Sequence, residues 1–205
     1  MTTLAELSRR LKPPVRRPSL PPLILMTDRE RLANPIPVVE TLPRGSAIIL
    51  RHYGDPGRNA LALELAAVCR KRGLRLLIAD DARLASRVRA HGVHLPETRT
   101  RTVRSGGRLF RRPGWLVTAA AHSPRAVRRA AQAGVDAVLL SPVFPTKSHP
   151  GAAPIGPLRF AAWVRHSPLP VYALGGVSVA SARRLASSGA VGFAGIGGFQ
   201  NQVVE

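Results

Sequence analysis

Eight short apolar runs, each followed by a polar or turn-prone stretch, constrain this chain more than any other feature. They are LILMT at 23–27, AIILR at 47–51, RLLIA at 75–79, GVHL at 92–95, WLVTA at 115–119, AVLLS at 137–141, VYAL at 171–174 and VGFAGI at 191–196. Helix-length segments separate them, with apolar spacing clearest at 58–72, 123–133, 158–166 and 178–188. That alternation is the pattern of repeated βα units on a parallel sheet. Ser123 before Pro124 and Ser178 before Val179 are placed to cap helices. Gly73, Gly134 and Gly189 stand where helices should stop, a position that favours a left-handed residue.

Eight strands with seven spacers predict an α/β protein built as a single (β/α)8 barrel, although counting alone leaves a doubly wound sheet open. Residues 1–22 read as an N-terminal extension and 23–205 as the barrel domain. Nine residues follow Ile196, so the last helix is short or missing, and a helix at 4–11 is expected to cover a barrel face instead. The polar, Gly-rich connection 99–113 reads as a mobile loop.

The chain has 205 residues and 45% hydrophobic content, enough for one substantial core. Its formal charge of +20 raises nucleic acid as a partner. The basic residues are mostly Arg spread through every predicted helix, however, and aromatics are only 4%, too few for base-stacking platforms. Nucleic-acid recognition is therefore disfavoured, and the positive surface is better suited to drawing in small anions. A single cysteine, Cys69, rules out disulfides within the chain and fits a reducing cytoplasm. Prolines and Asp28 break the apolar run near the start, so neither a signal peptide nor a membrane span is expected.

In a βα barrel the working residues sit at the carboxyl ends of the strands. After the seventh run come Gly175 and Gly176, and around the end of the eighth come Gly195, Gly197 and Gly198. These residues lack the side chains that would keep a phosphate from backbone N–H groups, although plain turn glycines are the alternative. Thr146, Lys147, Ser148 and His149 add hydroxyl and cationic donors for a phosphate or pyrophosphate, or else form an exposed loop shaped by Pro142, Pro145 and Pro150. Asp80 and Asp81 are candidate Mg²⁺ ligands, yet ADDARLA equally reads as a capped helix start. His122 follows the fifth run and suits a general acid/base, while His94 is expected to pack inside the barrel. Arg51 ends an apolar run and needs an anion or carboxylate to face it.

GVHLPE, the AAH before SPRAVRRAAQAGVD, SPVFPTKSHPG, LGGV and GFAGI together resemble the successive signatures of the thiamine-phosphate synthase and thiazole tautomerase family, over most of the chain. The resemblance implies a barrel that binds a thiazole phosphate. In the synthase branch, an aminopyrimidine-methyl pyrophosphate loses pyrophosphate and the thiazole nitrogen captures the resulting cation, with Mg²⁺ and basic residues holding the leaving group. In the tautomerase branch, a histidine shuttles a proton on a carboxythiazole phosphate without metal.

Position by position, the resemblance places Thr146 and Ser148 as hydroxyl donors, and Gly176 and Gly197 as backbone donors, to the thiazole phosphate. Arg51 matches the arginine of a Gln-x-Arg-x-Lys strand whose other members are Ile49 and Tyr53 here. Asp80 matches one metal-binding aspartate, with Ala79 in place of the preceding asparagine and Arg99 where the second aspartate would fall. His149 replaces a loop lysine and Ala120 a serine. His122 occupies the position of the tautomerase histidine. The leading expectation is a thiamine-phosphate synthase with Arg51 and His149 on pyrophosphate and Asp80 on any Mg²⁺. The alternatives are a thiazole tautomerase using His122, or a silent barrel that only binds thiazole phosphate.

Overall fold

A computed structural model describes residues 2–11, 13, 20–102, 112–146, 151 and 153–196, and in it all eight apolar runs are strands. They are β1 (Leu23–Met26), β2 (Ala47–Leu50), β3 (Arg75–Ala79), β4 (Gly92–Leu95), β5 (Leu116–Ala121), β6 (Ala137–Leu140), β7 (Val171–Ala173) and β8 (Gly192–Gly195). Each strand pairs in parallel with the next, and β8 returns to β1 with Phe193 opposite Leu23. The sheet is therefore a closed (β/α)8 barrel, and the doubly wound alternative falls away. Strands of such a barrel have side chains packed inside it on one face and against helices on the other. Hence Ile48, Ile49 and Leu50 are all fully buried, and the apolar runs do not alternate with polar residues.

The helices are α1 (Leu4–Arg9), α2 (Ile36–Thr41), α3 (Arg58–Arg72), α4 (Ala82–Arg87), α5 (Glu97–Thr102), α6 (Pro124–Gln132), α7 (Pro157–Arg165) and α8 (Val179–Ala182), the last continued by a 3₁₀ turn at Arg183–Leu185. The expected caps are present: the Ser123 side chain accepts from the Ala126 N–H and the Ser178 side chain from the Ser181 N–H. Gly73 closes α3 in the left-handed region at φ +66°, which a side chain would strain. Cys69 is buried on α3, and that burial pushes its thiol up to about 12, so it acts as a small apolar residue.

α1 covers the barrel as the sequence suggested, packing on β1, β8 and α8. A Thr3–Glu6 capping box starts it, and Leu4, Leu7 and Leu11 are buried beneath it. The Tyr172 hydroxyl donates to the Pro21 carbonyl at 2.8 Å, tying the segment that enters β1 to β7. Residues 197–205 lie outside the described residues, and with them the expected short final helix. Among the described residues, no helix is long and apolar enough to cross a membrane.

The structure corrects the expected loop at 99–113. Arg99 to Thr102 belong to α5, and 103–111 lie outside the described residues. ETRTRT has no apolar periodicity, yet Arg101 pairs with Glu97 one turn earlier at 2.6 Å and Thr100 is buried. Packing against β4, β5 and α6 supplies what the pattern lacks. β5 also starts one residue later than expected and runs to Ala121, because Ala120 and Ala121 pair with Leu139 and Leu140.

Candidate active site

The carboxyl ends of the strands surround a cavity of about 500 Å³. Arg51, His122, Thr146, Gly175 and Gly176 all contribute to its wall, so the structure brings together five residues that the sequence singled out. Ser148, His149 and Gly197 lie outside the described residues. Gly195 and Ile196, just before Gly197, line the same cavity. Asp80 is not part of the wall.

Arg51 owes its position to a chain of buried hydrogen bonds at the ends of β1 and β2. His52 faces the Ala33 carbonyl through Nε2 at 3.2 Å, so Nε2 carries the proton and Nδ1 accepts from the Thr27 hydroxyl at 2.9 Å. The Thr27 oxygen in turn accepts the Arg51 N–H at 3.0 Å. The carboxylate expected to face Arg51 is Asp28, whose Oδ2 lies 3.7 Å from the Arg51 guanidinium and 3.4 Å from that of Arg31. Burial pushes the Asp28 carboxyl up, but hydrogen bonds from Arg31 and the charges of Arg31 and Arg51 outweigh it and leave the group below its usual range. Arg31 also lines the cavity, and sequence reasoning missed it. The signal was the Asp28-x-x-Arg31 spacing directly after the first strand.

Across the barrel, the β6 and β7 loops form the other wall. Gly175 and Gly176 have φ values of +89° and +65°. A Cβ on Gly176 would lie 2.4 Å from the Pro145 carbonyl oxygen, and one on Gly175 would lie 2.8 Å from Pro142 Cα. Both glycines are therefore required by the close approach of these two loops, in addition to any role of their amides. The Ser181 hydroxyl donates to the Gly176 carbonyl at 2.8 Å and fixes this turn against α8.

His122 Nδ1 lies 2.9 Å from the Ser141 carbonyl oxygen. Because a carbonyl only accepts, Nδ1 carries the proton, and in the neutral ring Nε2 is the basic nitrogen. The backbone N–H of His122 donates to Glu97 Oε2 at 3.2 Å, while Glu97 Oε1 takes Arg101 at 2.6 Å and Arg129 at 2.9 Å. Burial raises the Glu97 pKa, but the Arg101 hydrogen bond and the nearby His122 and Arg101 charges hold it below the usual range. His94, as expected, is packed within the barrel end at 4% exposure, with Nδ1 2.9 Å from the Thr118 hydroxyl. Burial, with help from the Arg51 charge, takes its pKa down to about 3. It is neutral near pH 7 and carries no charge into the cavity.

The residues around Asp80 do not fit a resident Mg²⁺. Asp80 Oδ1 accepts from Arg99 Nε at 2.7 Å, and its neighbour Asp81 caps α4 through the Leu84 N–H and pairs with Arg58 at 3.6 Å. Among the described residues, no three His, Cys, Asp or Glu side chains gather where a metal could be held. The second sequence reading of ADDARLA, a capped helix start, describes Asp81.

The family model for thiamine monophosphate synthase matches residues 23–199. A thiamine-phosphate synthase of Thiobacillus denitrificans is 36% identical over 168 residues, covering 80% of this chain and 77% of that protein. One from Chlorobium luteolum is 33% identical over 182 residues, covering 86% of this chain and 84% of that one. Among solved structures, a thiamine phosphate pyrophosphorylase from Pyrococcus furiosus superposes with a TM-score of 0.70 at 25% identity, covering 88% of this chain and 87% of that one. A cavity at the carboxyl rim of a closed barrel, with Arg31, Arg51, Thr146 and the Gly175–Gly176 turn in its wall, thus accompanies sequence similarity along most of the chain, and the chain belongs to the thiamine monophosphate synthase family.

Proposed function

We propose that this protein is a cytoplasmic transferase that joins an aminopyrimidine-methyl pyrophosphate to a thiazole phosphate, giving thiamine phosphate and pyrophosphate. One observation carries the reading: groups that can donate hydrogen bonds to anions stand on two opposite sides of the cavity. Arg31 and Arg51 stand at the β1 and β2 ends, while Thr146, Gly175 and Gly176 stand at the β6 and β7 ends. In the closed strand order β2 and β6 are four strands apart either way round, so these groups face each other. Met26, Ala120, Leu174 and Ile196 add apolar surface to the wall, suited to flat heterocycles.

In the reaction, the bond from the pyrimidine methylene to the pyrophosphate oxygen breaks and its electron pair leaves with pyrophosphate. The thiazole nitrogen lone pair then forms the new C–N bond to the cationic methylene. Arg31 and Arg51 stabilise the charge gathering on the leaving group, and the phosphate contacts of Thr146, Gly175 and Gly176 aim the thiazole. Mg²⁺ serves the family generally. In this chain Asp80 is paired with Arg99 at 2.7 Å.

The test is chromatographic detection of thiamine phosphate from the two substrates, with and without Mg²⁺. The expected result is turnover that Arg51→Leu lowers by roughly 100-fold; absence of product in both conditions overturns the reading. A tautomerase reading is favoured by the Ser141-anchored tautomer of His122 beside the cavity. Proton exchange into a carboxythiazole phosphate that disappears in His122→Ala, with no thiamine phosphate formed, selects it instead.

A further inference from the structure

The carboxylates on the β1–β3 side of the cavity are engaged by guanidinium groups. Asp28 lies between Arg31 and Arg51, Asp80 is held by Arg99, and Asp81 is held by Arg58. With Arg29 and Asp55 at 3.9 Å, five guanidiniums meet four carboxylates among the described residues on this side. Tyr53, which lines the cavity, stands among them: Arg58 stacks over its ring at 5.5 Å, and both Arg51 and Asp80 act on its hydroxyl electrostatically. Arg99 is an exposed residue of α5 that reaches this side through its 2.7 Å pair with Asp80.

A Mg²⁺ ion demands near-ideal octahedral geometry and is usually held by one or two carboxylates together with waters and substrate phosphates. To bind at Asp80 it would have to displace the Arg99 guanidinium at 2.7 Å and bring two positive charges into a cluster that already carries a cationic excess. Pyrophosphate has the opposite requirement. Its oxygens match the planar, forked donor pattern of arginine, and an excess of guanidinium over carboxylate is what favours it.

We infer that this rim binds pyrophosphate without a divalent cation. Arg31 and Arg51 contact the anion from the cavity wall, and Arg99 takes the charge-neutralising part beside Asp80. Asp28 and Asp80 are positioning residues that fix the guanidinium planes. The choice of pyrophosphate as ligand rests on the synthase reading above, whereas the independence from metal rests on the ion pairs.

Calorimetric titration of the full chain with inorganic pyrophosphate, in EDTA and then with excess Mg²⁺, tests this directly. The expected result is binding in EDTA that Mg²⁺ does not tighten. Arg51→Leu should weaken it by at least about tenfold, a loss consistent with removing a charged hydrogen-bond partner. Arg99→Asp, which sets a second carboxylate beside Asp80, should abolish binding in EDTA and restore it with Mg²⁺. Binding that requires Mg²⁺ in the wild type, tightening by tenfold or more on its addition, or no pyrophosphate binding in either condition overturns the inference. The wild-type comparison needs no variant to fold. A protein that binds pyrophosphate in EDTA but makes no thiamine phosphate would sink the synthase reading and leave this one standing.

Discussion

His94 shows how burial sets the chemistry of a single residue, in line with the packing that the sequence led us to expect. On the strand end of a barrel it could be a proton carrier, but full burial and the nearby Arg51 charge hold it neutral down to about pH 3. The folded pKa lies below the unfolded value of 6.5, so its contribution to stability is present above pH 6.5 and is lost as the pH falls toward 3. His91, also lowered by burial and by Arg75 and Arg70, acts in the same direction. Urea unfolding followed between pH 6.5 and about 5.5, where ordinary carboxylates are still mostly ionised, should therefore show falling stability. His94 can supply up to about 1.4 kcal/mol per pH unit there. In His94→Gln the slope should become shallower, and an unchanged slope would mean that another group carries it.

Among the elements, the strands and α3 were legible because their apolar residues are buried by the fold they specify. α2 and α5 were not. IPVVET and ETRTRT carry little pattern of their own; α2 starts where the Asn34 side chain accepts the Ile36 N–H, and α5 forms where Glu97 reaches Arg101 and Arg129. The N-terminal α1 is the element whose role depends most on packing. Leu4 is fully buried where α1 covers β1 and β8, so Leu4→Ala should destabilise the protein by about 2–5 kcal/mol in chemical denaturation. A shift below about 0.5 kcal/mol, the scale of an ordinary surface change, would show that the barrel does not depend on this cover.

For the whole molecule, a net charge of +20 spread over the surface makes a positive field that small anions feel before they reach the cavity. Raising ionic strength from about 0.02 M to about 0.5 M should lower kcat/KM for the phosphorylated substrates by about tenfold or more, because the screening length shrinks to a few ångströms. The kcat at saturating substrate should change much less, since contacts inside the cavity are screened less. Equal loss in both parameters would show that salt acts on the site itself.

The order of apolar runs and helical spacers determined a parallel sheet covered by helices, because unbroken apolar strands need burial on both faces; the pairing of β8 with β1 then closed it into a barrel. The same order placed Arg51, His122, Thr146 and the Gly175–Gly176 pair at one rim. What the tertiary structure alone decided was which charges meet. Asp80 and Arg99 are nineteen residues apart, and Glu97 and Arg129 thirty-two, so no local pattern pairs them. Such pairings set guanidinium groups against the candidate metal ligands Asp80 and Asp81. Charge pairing depends on distance in space, and only the closed barrel sets those distances.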